Sequence, residues 1–298
     1  VQYKKYHNKA LNAYITKDYK NWLEYNKKAL KIMPNNARTI YYLANAYALN
    51  NNQEEALKFL RRSVEMGFGW DADKDNDFKA IHNHPKFKKI LNRISKLSRP
   101  VNNSSVAYRL EERDLIPEGI TYDPVKKCFY LGSLYKCKIV KIDKNGNHFN
   151  FTSVKQDGLR QITGMKVDTI RRHLWVCSEV SSLNYINSDS TELGWSGVFQ
   201  FDLETGELLK KYTLFEQGKP HLFNDIVITR NGDVFLTDSR SQEIYKVDSR
   251  QDKLKVFLQS EGFGYLNGID LSADEKWLYV ADSGGIIVIN TENKNFKY

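Results

Sequence analysis

Three oxygen-bearing residues stand at one position of a recurring pattern: Glu118 in Pro117-Glu118-Gly119, Asn224 in Phe223-Asn224-Asp225 and Asn267 in Leu266-Asn267-Gly268. A carboxylate with two amide carbonyls is a hard, all-oxygen donor set. It suits Ca²⁺ best, with Zn²⁺, Mn²⁺ and Mg²⁺ as alternatives. A single Asn-Gly or Asn-Asp pair makes turns as readily as it binds ions. Three in register carry more weight, provided that the chain brings them together.

The elements that must do so are repeats. The copies begin PEGITYDPVKKCFYLGS, ITGMKVDTIRRHLWVCSE, FNDIVITRNGDVFLTDS and LNGIDLSADEKWLYVADS, and each continues to a further apolar strand closed by Asp143, Asp202, Asp248 or Asn290. Counted from Gly119, Gly164, Asp225 and Gly268, the intervals lie in the forties except the second, which an insert at residues 181–194 lengthens. Four-stranded units of that length read as β-propeller blades. A propeller delivers the first residues of every blade to one central channel, so Glu118, Asn224 and Asn267 are expected to meet there, with Thr163 holding the same position in the second copy. The closing acids read as turn caps. The insert reads equally as a lid over the channel mouth or as a tolerated surface insertion.

The first hundred residues carry no strand pattern. Asp18, Tyr19, Trp22, Ala29, Leu30 and Pro34, then Leu43, Ala44, Tyr47, Ala56, Leu60 and Met66, fall on a register that repeats after 34 residues. This resembles a pair of tetratricopeptide repeats, in which small residues let adjacent helices approach closely. A third helical element is expected from about Phe78 to Leu97, after the acidic loop 71–77, which lacks the Gly and terminal Glu of a calcium loop and reads as a polar helix start. The fold class is thus multidomain: a helical domain at 1–97, a polar linker at 98–106 and a propeller of about four blades at 107–298.

Composition narrows the classes. The net charge of +9 is entirely N-terminal, since residues 1–100 hold 20 Lys and Arg against 9 Asp and Glu. The lysines are scattered and no nucleic-acid motif accompanies them, so a solvated basic face is expected and no nucleic acid. No run approaches the roughly 18 apolar residues of a membrane span. Soluble character is expected, either cytoplasmic or exported after removal of a signal. Cys128, Cys137 and Cys177 show no C-x-x-C spacing, which argues against a disulfide framework or a structural zinc site of thiolates.

Residues 107–298 resemble the regucalcin, gluconolactonase and luciferin-regenerating-enzyme superfamily of six-bladed propellers. The residues carrying the resemblance are Pro117-Glu118-Gly119 with Ile120 to Pro124, Phe223-Asn224-Asp225 with Asn231-Gly232-Asp233, and Leu266-Asn267-Gly268 with Ser272 to Glu275. It implies that Glu118, Asn224 and Asn267 are metal ligands and that Asp225 lies beside the substrate pocket. It also implies a fourth ligand, an Asp opening a fifth blade, which would fall past Tyr298; the expectation is that the sequence is a piece of a longer protein. Sugar-lactone members commonly carry a basic residue where this chain has Leu222. His221, beside it, is a candidate for substrate contact or proton transfer, against the commoner structural role of a lone His before a strand.

The function so implied is divalent-metal-dependent hydrolysis of a lactone or related ester, with either the fourth carboxylate or Asp225 through a water chain as the general base, and the helical repeats holding a protein partner. The alternative is a non-catalytic ligand-binding or sensor propeller docked to a partner through those repeats.

Overall fold

The computed structural model describes residues 2–181 and 190–298. The chain divides into two compact units, Val1–Ser105 and Val106–Tyr298. No helix is long and apolar enough to cross a membrane among the described residues.

The first unit is helical: α1 (Gln2–Ile15), α2 (Tyr19–Ile32), α3 (Ala37–Leu49), α4 (Gln53–Glu65), a 3-10 helix (Asn76–Ile81) and α5 (Pro85–Leu97). Asp18, Asn36 and Asn52 cap α2, α3 and α4, each accepting a backbone N–H in the first turn, which satisfies one of the donors a helix start leaves open. Ala29, Ala44 and Ala56 are fully buried between the helices. The single helical element expected from Phe78 to Leu97 is two. Pro85 lacks the N–H that a continuous helix would need and is preset for a first turn. His84 accordingly becomes the N-cap of α5, its Nδ1 accepting from the Lys86 amide at 3.1 Å. In the acidic loop, Asp75 caps the 3-10 helix and also receives the Tyr41 hydroxyl at 2.6 Å and the Asn45 amide at 2.7 Å, which ties the loop to α3.

The second unit holds four four-stranded antiparallel sheets among the described residues, as in a propeller-like β domain. The first comprises β1 (Pro117–Asp123), β2 (Cys128–Ser133), β3 (Ile139–Ile142) and β4 (His148–Asn150). The second comprises β5 (Gln161–Asp168), β6 (His173–Glu179), β7 (Ser196–Asp202) and β8 (Leu208–Leu214). The third comprises β9 (Phe223–Ile228), β10 (Val234–Asp238), β11 (Glu243–Asp248) and β12 (Lys253–Gln259). The fourth comprises β13 (Ile269–Leu271), β14 (Trp277–Asp282), β15 (Gly285–Asn290) and β16 (Phe296–Lys297). The lid reading of residues 181–194 falls mainly on 182–189, outside the described residues.

Each sheet packs face to face on the next through an apolar layer. Cys128 and Tyr130 meet Ile162 and Val176, Trp175 and Cys177 meet Phe223 and Leu236, and Phe235 and Ile244 meet Leu278 and Val280. Turns at one end add polar locks. Arg172 reaches from the second sheet to the fully buried Asp123 of the first, with paired bonds of 2.8 and 2.6 Å. Removing Arg172 would strand the Asp123 charge in the layer. Asp143, Asp202, Asp248 and Asn290 each accept two backbone N–H groups of the turn that follows, which makes them the turn caps their position predicts.

The first strands lie side by side in the order β1, β5, β9, β13. Every one carries the same irregularity at its head, two residues opposed to one. Glu118 and Gly119 oppose Gly132, Thr163 and Gly164 oppose Cys177, and Asn224 and Asp225 oppose Thr237. In the fourth sheet the Asn267 N–H donates to Ala281, and the Ala281 N–H donates back to Gly268, both at 2.8 Å. Such bulges break the alternation of a strand and re-aim its side chains. The second bulge residue is glycine in three sheets, and in the first two of them there is no room for more. A Cβ on Gly119 would overlap the Thr163 carbonyl oxygen, and one on Gly164 would lie 2.5 Å from the Asp225 Cα.

Gly119→Ala and Gly164→Ala should each lower stability by about 1–3 kcal/mol, the usual scale of overpacking against backbone. Gly262→Ala, whose Cβ would sit 3.4 Å from Ser260 Oγ, should stay within roughly 0.5 kcal/mol of the parent. Urea unfolding followed by tryptophan fluorescence reads the difference; equal midpoints for all three would contradict the crowding.

Candidate functional site

The bulged strand heads form one neighbourhood. The Asp225 carboxylate receives the Ile269 N–H at 3.0 Å and lies against Gly164 on one side and Gly268 on the other. The Asp225 N–H is held by Thr237 Oγ1 at 3.2 Å, and the same hydroxyl donates to the Asn267 carbonyl at 2.6 Å. Asn224 Nδ2 donates to Ser239 Oγ at 3.0 Å, and that hydroxyl in turn donates to the Leu266 carbonyl. Thr163 turns its hydroxyl to the Phe223 carbonyl at 2.7 Å, a structural bond in the sheet that supplies no expected ligand.

What these contacts leave free is oxygen. Ser239 engages the nitrogen of the Asn224 amide, and among the described residues its Oδ1 accepts no hydrogen bond. The Glu118 and Asn267 side chains make no hydrogen bond or ion pair among those residues either, and both are solvent-accessible. Crowding by surrounding protein pushes the Glu118 carboxyl above its ordinary range, and the nearby charge of Asp225 adds to the shift. Burial likewise raises Asp225, against the pull of the Ile269 and Ile226 amides. Two like charges facing each other with no cation paired to Glu118 are a fit for a divalent ion, and the donor chemistry around them is all oxygen.

Below the strand heads lies a cavity of about 840 Å³, lined from all four sheets by residues that include Tyr122, Met165, Asp225, Ile269 and Tyr279. Asp225 thus borders both the strand heads and a space, walled by apolar side chains together with Thr121, Lys166 and Asp270, that is large enough for a small organic ligand. His221 stands elsewhere. It is 2 % exposed, hydrogen-bonded through Nδ1 to Asp238 at 2.7 Å, and absent from the residues around this cavity.

Glu179, at the end of β6, is the group that the sequence reading missed. It is 3 % exposed and its Oε2 has no partner among the described residues. Burial raises its pKa to about 7, a shift opposed by a bond from Ser181 and the charge of Arg240 and reinforced by the charge of Glu118. Its position offered one signal, an acid at the end of a second strand, where the other sheets carry Ser133, Asp238 and Asp282.

Residues 116–292 match the SMP-30/gluconolactonase/LRE-like region, more than half of the chain. The chain belongs to that family. The match leaves the helical unit outside it. No curated protein matches the sequence. Among solved structures, a gluconolactonase of Xanthomonas campestris is 16 % identical over 61 % of this chain and 60 % of its own, with a TM-score of 0.45. A virginiamycin B lyase of Staphylococcus aureus is 14 % identical over 64 % of this chain and 57 % of its own, with a TM-score of 0.47. A chain of a nidogen/laminin complex is 14 % identical over 61 % and 62 %, also at 0.47. The family member described here therefore spans about three fifths of the length of these structures.

Because its native pKa lies above the ordinary glutamate value, Glu179 holds its proton in the folded state where the unfolded chain has lost it. Its neutral form costs nothing at pH 4, and stability is lost as pH rises toward and through about 7. Glu179→Gln should therefore gain on the order of 2 kcal/mol over the parent at pH 8 and nothing at pH 4. Denaturant midpoints measured at both values in chelator-treated buffer check this, and a gain independent of pH would contradict it.

Proposed function

We propose that this family member hydrolyses a lactone or related ester with the aid of a divalent cation, Ca²⁺ in the first place, held by Glu118 and the amide oxygens of Asn224 and Asn267. The observation that supports the reading is the set of unengaged oxygens of Glu118, Asn224 and Asn267 at adjoining strand heads, beside Asp225, which lines a cavity of about 840 Å³. When bound, such an ion supplies Lewis-acid polarisation of an ester carbonyl and charge stabilisation at the developing oxyanion. Family membership alone would not establish the activity, since propellers host many unrelated chemistries.

The chain's own residues divide the remaining work. Ser239 turns the Asn224 amide so that its oxygen is the free end. The Ile269 N–H and the Thr237 hydroxyl fix Asp225 at the head of the cavity. There its carboxylate accepts a proton from the attacking water, the task of a general base. The apolar part of the wall, to which Tyr122, Met165 and Tyr279 belong, seats the carbon skeleton.

The test is hydrolysis of aldonolactones and aryl esters by the full chain with Ca²⁺, Zn²⁺, Mn²⁺ or Mg²⁺. Glu118→Gln should lower metal affinity and activity together, and chelation should abolish activity reversibly. Turnover indifferent to both would overturn the proposal. Asp225→Asn should cost about 10²-fold or more in kcat. Because burial raises the Asp225 pKa, activity should climb with pH through a value above the ordinary aspartate range and fall away at pH 4.

A further inference from the structure

A second cluster in the third sheet is independent of the channel donors. His221, Asp238 and Glu243 are 2 %, 0 % and 3 % exposed, and one ligand-type atom from each lies within 4.8 Å of the other two. Asp238 is held rigidly: its Oδ1 accepts the backbone N–H groups of Leu222, Arg240 and Ser241 at 3.0, 2.9 and 3.1 Å. Its Oδ2 meets His221 Nδ1 at 2.7 Å. With the ring proton donated there, His221 Nε2 is left as a lone pair, and it is buried with no hydrogen-bond partner among the described residues. Glu243 is oriented by the Tyr245 hydroxyl, which donates to Oε2 at 2.6 Å, while its Oε1 faces Lys219 Nζ at 3.3 Å.

We propose that this cluster is a structural site for a divalent transition ion of the Zn²⁺ type, with His221 Nε2 and the Glu243 carboxylate as ligands and Asp238 holding the imidazole from behind. A carboxylate bonded to the far nitrogen of a metal-bound histidine fixes the tautomer and the ring orientation, which is the arrangement of His221 and Asp238. Imidazole with carboxylate favours zinc and its neighbours, in contrast to the all-oxygen channel set. Charge agrees as well. The two carboxylates exceed the single ammonium of Lys219, whose side chain is 44 % exposed and can withdraw to solvent as the ion arrives. That withdrawal leaves two negative charges against a doubly charged cation, and solvent entering by the same route completes the coordination. The site would tie the segment before β9 to the end of β10 and the start of β11, stiffening the sheet that presents Asn224 and Asp225.

The experiment uses the full chain carrying Glu118→Gln, so that the channel site is weakened and its failure is read separately, in ester turnover. Chelator-stripped protein is titrated calorimetrically with Zn²⁺ and, in parallel, with Co²⁺ followed by visible absorption. One equivalent should bind, with a d–d spectrum that reports a nitrogen ligand and a raised melting temperature. Adding His221→Gln should weaken binding at least about 100-fold. Adding Tyr245→Phe, which removes only the hydroxyl behind Glu243, should weaken it roughly tenfold. Glu243→Gln keeps the side chain's shape and serves should the histidine variant fail to fold, as circular dichroism would show; it too should lose the ion. Absence of binding to the Glu118→Gln protein, or binding that a folded His221→Gln or Glu243→Gln variant retains unchanged, would overturn the assignment.

Discussion

The steric limit at the inner ends of the four first strands governs this β unit. The sheets approach so closely there that Gly164 has Asp225 backbone where a Cβ would be, and Gly119 has the Thr163 carbonyl. Glycine at the first two bulges lets the strands meet, and one carboxylate, Asp225, lies next to both Gly164 and Gly268. The residue before each glycine is thereby turned out of the pleat. Packing at the strand heads and the presentation of Glu118 and Asn267 are two consequences of the same bulge.

That closeness sets the electrostatics. Surrounding protein makes the carboxyl groups of Glu118, Asp225 and Glu179 hold their protons more strongly than free ones, and the charge of Asp225 adds to the shift at Glu118 as that of Glu118 does at Glu179. Away from the strand heads the charges are matched. Arg172 neutralises the buried Asp123, and Arg171 pairs with Asp168 while reaching the Arg230 carbonyl of the next sheet. Bulk and pairing at the turns hold the sheets together, and at the strand heads the acids Glu118, Asp225 and Glu179 are only partly offset by the charges of Lys166 and Arg240. A ligand bearing positive charge would relieve that imbalance, which is the thermodynamic core of the function proposed for the site.

The sequence made much of the fold legible because its signals are local. Asp143, Asp202, Asp248 and Asn290 cap the turns that follow them through bonds that span two to four residues, and such chemistry is readable without tertiary context. The apolar runs of β2, β6 and β10 likewise announce largely buried strands, and that of β14 a strand buried on one face. The fourth strands escaped notice because they are the exposed edges of their sheets: β4 is exposed throughout and β16 is two residues long. In the helical unit the apolar spacing from Phe78 to Leu97 suggested one element, and the backbone requirement of Pro85 made it two.

The amino-acid sequence alone determined that four like units follow one another and that an oxygen donor precedes the small residue opening three of them, because periodicity and residue type survive without coordinates. Tertiary structure decided the rest. It placed Asp225 between Gly164 and Gly268, buried Glu179 with an unsatisfied oxygen, and enclosed His221 against Asp238 away from the cavity. Those outcomes depend on contacts between residues tens of positions apart, where burial and neighbouring charge set what a side chain can do, and neither property is carried by the residue itself.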